Sequence, residues 1–215
     1  MKYYDKSNQE MNIIHHLILK SPFHPNLGLM EGKMGIALMF FLYSRKIGNK
    51  VYADFASELL DQIWTEIDVN LGIGFYNGLS GIGWGIEYLV QHGYVEGNTD
   101  EICGDIDLKI KTELFSTEKD IITSEFDLVG IWHYMSARLY SCLSNKTVFP
   151  FDADFVNKVK FLIFEKINEQ DWGEKMDITS LQKMTKSLLK SYEGTYLNKP
   201  LGLNGLAGYI INFIL

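Results

Sequence analysis

Apolar residues recur along this chain at spacings of three and four, and no segment shows a convincing alternation of period two. The pattern predicts helices near residues 7–20, 33–47, 50–68, 78–92, 98–115, 127–144, 152–169, 177–193 and 205–215, and no strand. Capping chemistry supports several starts. Ser7 with Glu10 and Asn98 with Glu101 have capping-box spacing, and Asp152 suits an N-cap. Gly93 and Gly194 read as helix stops. The prolines, Pro22, Pro25, Pro150 and Pro200, fall between periodic segments, where a missing N–H does least damage.

The helices are of two kinds. Segment 98–115 carries one apolar stripe, Ile102, Ile106, Ile110 and Leu114, among charged residues. Segments 50–68 (Phe55, Leu59, Ile63, Ile67) and 152–169 (Phe155, Val159, Leu162, Ile163, Ile167) are similar. One stripe means one face on the core and one in water. The second kind is nearly free of charge. Residues 34–44 and 205–215 have none, 78–90 has only Glu87, and 128–142 has only Arg138. Such helices are expected to be covered on most sides. Outer and inner types alternate from 50 to 169, which predicts an all-α, two-layer α/α arrangement of about four to five hairpins. Segment 177–193 reads as a further outer helix whose inner partner is missing or shortened to the turn at Trp172 and Gly173. No linker divides the chain, so a single domain over 1–215 is expected.

The inner helices begin alike. The starts read Gly28-Leu-Met-Glu-Gly-Lys-Met-Gly35, Gly74-Phe-Tyr-Asn-Gly-Leu-Ser-Gly81 and Leu201-Gly-Leu-Asn-Gly-Leu-Ala-Gly208. A weaker copy, Asp127-Leu-Val-Gly-Ile-Trp-His133, puts His133 where the others have their second glycine. The long gap between Gly130 and Gly205 would fit two repeats with one copy eroded. Asn77 and Asn204 can cap these helices with their side chains. The paired glycines Gly32 and Gly35, Gly78 and Gly81, and Gly205 and Gly208 share a face and permit close approach, as does Gly130. A glycine inside a helix costs about 1 kcal/mol against alanine, so each needs a packing reason or a functional one, such as amides lining an anion-binding rim.

Composition narrows the classes. Hydrophobic residues make up 47% of 215, enough for a large core. A net charge of −7 disfavours nucleic acid and anionic membrane as partners. Two cysteines, Cys103 and Cys142, are too few for a disulfide framework. The polar N-terminus and the absence of a long apolar run predict a cytoplasmic chain without a membrane span.

The run from Gly74 through Trp84 to Leu89, with Gly202-Leu-Asn-Gly-Leu-Ala-Gly208, resembles the repeat of lanthionine synthetase C-like (LanC-like) proteins, and the resemblance extends over residues 28–215. It implies an α/α toroid whose inner helices open with glycine motifs around a cavity. It also implies peptide modification. Active members are zinc enzymes that add a cysteine thiol to a dehydrated serine or threonine, with the zinc on two cysteines and a histidine. This sequence has no adjacent Cys-His pair, and residues 170–205 contain neither residue type. Cys142 lies about 13 Å of helix rise beyond His133. The sequence therefore predicts no metal, no cofactor and no zinc-dependent cyclase activity. The expected role is a peptide-binding or accessory one, with a peptide substrate or a partner modification enzyme.

His133, beside Trp132, is the candidate base or ligand-contacting group at the cavity rim, and a packing histidine is the alternative. Glu31, in the place of the capping Asn, and Asp127 could form an acid/base pair, which would suit a small carbohydrate-active enzyme of the six-hairpin glycosidase kind. Acidic residues also favour helix N-termini for structural reasons. A structural or interaction module is the third reading. Glu87 and Arg138 sit at similar depth after their motif glycines and should pair across neighbouring inner helices. Reversing the charge of Glu87 alone should destabilise, and the double swap should recover part of the loss.

Overall fold

A computed structural model describes residues 2–68, 71–116, 124–166 and 200–214. Among them the chain is helical, with no strand. The helices are α1 (Lys2–Lys20), α2 (Lys33–Ile47), α3 (Val51–Glu66), α4 (Leu79–Gln91), α5 (Thr99–Ile102), α6 (Gly104–Glu113), α7 (Glu125–Asn145), α8 (Ala153–Lys166) and α9 (Leu206–Ile214), with a 3-10 turn at Ser21–Phe23. The expected helix 177–193, the turn at Trp172 and Gly173, and the stop at Gly194 lie outside the described residues. Among the described residues no helix is long and apolar enough to cross a membrane.

The helices fall into two compact units. The first holds α1, α2, α3 and α9, and the second holds α4 to α8. In the first, α2 is the central helix. Every residue from Lys33 to Ser44 is buried, as the absence of charge from 34 to 44 predicts. Gly48 at φ 70° ends α2, its N–H bonded to the Ser44 carbonyl, and the chain turns into α3. The α3 stripe covers α2 with Ala56, Leu59 and Ile63, and Phe55 meets Phe40 edge-on at 4.9 Å. On another side α2 packs against α9, so the first and last glycine-motif copies are neighbours. The N-terminal helix begins at Lys2, so Ser7 lies inside it and is not its cap.

In the second unit α4 packs on α7, α6 lies against α4, and α8 lies against α7. The capping chemistry at Asn98 is present: its side chain accepts the Asp100 N–H and donates to Glu101. The single helix expected over 98–115 is broken at Cys103, where ψ is −1°. The break lets Thr99, Asp100 and Asp107 all reach the same Arg138 side chain. Asp152 caps α8, accepting the Phe155 N–H at 2.8 Å. The stop at Gly93 has φ 63°.

The expected cover holds along most of the charge-poor stretch 128–142 of α7, with one gap toward its end. Leu139, Tyr140 and Leu143 are 41%, 50% and 71% exposed. Lack of charge shows only that a helix has no anchored ionic face. It does not guarantee that every apolar residue is buried.

Candidate functional site

The glycine-motif loops share one backbone device. The first helical amide of each donates back into its own loop: Lys33 to the Asn26 carbonyl, Leu79 to Gly72 and Leu206 to Pro200, each at 2.9 Å. Met34 and Ala207, next along, donate to Leu27 and Leu201. The loop thus supplies carbonyl partners that a cap would otherwise provide, and these amides do not face an anion. The N-cap positions are Gly32 and Gly78, neither with a side-chain cap, and Asn77 precedes its cap instead of forming it. The Asn204 amide donates to the Met30 carbonyl at 2.7 Å, joining the last copy to the first.

The glycines sit where a side chain has no room, against their own loop or against a neighbouring repeat. A Cβ on Gly78 would meet the backbone of Gly72 and Gly74, and one on Gly205 would meet Pro200. One on Gly32 would lie 2.5 Å from the Asn26 carbonyl oxygen. The others receive a neighbour's side chain: Leu203 lies over Gly35, Phe75 over Gly130, and the Tyr134 ring over Gly83. Gly81 and Gly208 are buried in α4 and α9. Trp84 is buried between Phe75 at 6.1 Å and Tyr88 at 5.4 Å. Ser80 is fully buried and its hydroxyl has no partner among the described residues, while the matching position of the last copy is Ala207.

Asp127 opens the weak copy by a structural route. Ser124 caps α7, accepting the Asp127 N–H at 3.0 Å and donating to Asp127 Oδ2 at 2.8 Å. Asp127 Oδ1 accepts the Tyr76 N–H at 2.7 Å. Its carboxylate thus ties the loop before α4 to the start of α7. Glu31 is half-buried in the first unit, where Gly202 packs against its backbone. His133 is half-buried on α7, and burial pushes its pKa down to about 4, so it is neutral at ordinary pH. Trp132 beside it carries the Lys160 ammonium 5.5 Å above its ring.

The strongest electrostatic feature is Arg138. It pairs with Glu87 across α4 and α7, Nη1 to Oε1 at 2.8 Å, and both side chains are buried. It does more than the sequence suggests. Nε and Nη2 bind Asp107 Oδ2 at 3.1 and 3.0 Å, Nη2 also binds Asp100 at 3.0 Å, and Nη1 binds Thr99 at 3.3 Å. Every guanidinium N–H has an acceptor. Tyr134 donates to Asp107 at 2.6 Å, and Gln91 donates to Glu87 at 2.9 Å. Burial pushes the Asp107 carboxyl up, while Tyr134 and Arg138 pull it back. Burial works against the Arg138 charge, but Asp107 and Glu87 outweigh it and hold the charge firmly. Sequence reasoning missed Asp107. The signal was present, since Thr99, Cys103 and Asp107 recur every fourth residue beside the Ile102 stripe and all three are buried. It also missed Lys33, buried at the start of α2 and bound by both Glu66 oxygens at 2.8 and 2.9 Å.

Both cysteines are buried and free, in the second unit. Burial raises both thiols, Cys103 further through Glu87 nearby. Cys142 Sγ lies 3.7 Å from both Asp100 Oδ1 and the Val148 carbonyl. Among the described residues no three His, Cys, Asp or Glu side chains are grouped to hold a metal ion.

Compared with known families, residues 25–198 match the model of the lanthionine synthetase C-like protein family. No curated protein and no solved structure matches the chain. The family match covers most of the sequence, including the glycine-motif starts of α2, α4 and α7, and the all-helical fold agrees with it. This chain belongs to the lanthionine synthetase C-like family.

Proposed function

We propose that this chain acts in peptide modification as a peptide-binding or accessory member of its family, and that its 215 residues do not form a zinc-dependent thioether cyclase centre. Family membership supports the general role in peptide modification. The placement of the only two thiols carries the rest. A cysteine ligand binds zinc as thiolate, and burial raises both thiols here, which disfavours that form. Cys103 is fully buried beside the Arg138 cluster, and Cys142 is held between Asp100 and the Val148 carbonyl. A zinc site of two cysteines and a histidine does not fit this arrangement. No step of the proposed role runs through a metal.

The features available to a peptide are the half-buried neutral His133, Trp132 with Lys160 above it, and the exposed apolar residues further along α7. The carbohydrate reading gains nothing from Asp127, whose two oxygens are engaged by Tyr76 and Ser124.

The test combines zinc content with a peptide assay. The probe is a synthetic peptide carrying one dehydrobutyrine and one free cysteine, labelled for fluorescence anisotropy. Ring closure consumes the thiol without a change of mass, so maleimide labelling reports it. The expected result is saturable binding with the thiol still open to labelling. Protein-dependent loss of the thiol, together with stoichiometric zinc, would overturn the proposal.

A further inference from the structure

We draw no further inference here: the strongest candidate, the exposed apolar face of α7 that carries Leu139 and Leu143, is a helix surface for which nothing in the structure shows what covers it.

Discussion

Replacing Arg138 with methionine keeps the stem and removes the guanidinium. Among the described residues, Glu87, with no exposed surface, would keep the Gln91 amide as its side-chain partner, and Asp107 the Tyr134 hydroxyl. Stranding a buried partner typically costs about 3–5 kcal/mol, and here two carboxylates are stranded by one change. Asp100 is 28% exposed and can turn to water, so it adds little. The estimate for R138M is therefore about 4 kcal/mol, a large share of the roughly 5–15 kcal/mol that holds an ordinary domain. The loss should depend on pH. Burial raises the Asp107 carboxyl above its unfolded value near 4, and without the guanidinium that pulls it back the rise is larger. A raised carboxyl favours folding below the unfolded pKa and loses that advantage as pH rises through the folded pKa. The deficit is therefore largest at neutral pH and shrinks on acidification toward about pH 4.5. Urea unfolding of wild type and R138M, followed by helical circular dichroism at both pH values, measures it. A deficit under about 1 kcal/mol at neutral pH, or one that does not change with pH, would refute this reading of the cluster. The structure also lowers the recovery expected from swapping Glu87 and Arg138. A carboxylate at position 138 would face Asp107 and Asp100, so E87R/R138E should regain little of what E87R loses.

Three further outcomes follow from the geometry. Gly130→Ala places a methyl against Cβ and Cγ of Phe75 and should cost about 1–3 kcal/mol despite the better helix propensity; a double-mutant cycle with Phe75→Gly, which removes both atoms, should show strong coupling, and additive losses would contradict the docking. The Lys33–Glu66 pair is asymmetric, with side chains 2% and 46% exposed. Glu66→Gln strands a buried ammonium and should lose about 1–3 kcal/mol, whereas Lys33→Leu, which copies Leu79 and Leu206, should lose less than about 1 kcal/mol by urea unfolding; equal losses would count against this. His133 has its pKa lowered to about 4, so its contribution is present above the unfolded value near 6.5 and is lost as pH falls toward 4. His133→Gln should flatten the stability profile in that window, and a ring titration by NMR near 6.5 in the folded protein would contradict the burial argument.

Local signals in the sequence located most of the described helices. The α2 boundaries follow from an apolar run between Gly32 and Gly48, and the single charges Glu87 and Arg138 stand out because their helices have no others. Features set by tertiary contact were less legible. The break at Cys103 comes with three residues of that segment meeting Arg138, which lies far away in sequence. The caps at Asn77 and Asn204 looked sound by residue type, yet loop carbonyls satisfy the first amides of those helices. Asp127 read as a candidate acid because spacing places it at a helix start but does not show that Ser124 and the Tyr76 amide engage both its oxygens. The glycines were legible as a packing signal, and their neighbours, Phe75, Tyr134 and Leu203, required the structure.

The most direct test of the central claim is the zinc content of the purified chain after dialysis against excess zinc and then against zinc-free buffer, beside its Cys103→Ala and Cys142→Ala variants. Zinc should stay well under one per chain, unchanged in either variant. One zinc per chain, lost when either cysteine is replaced, would contradict it.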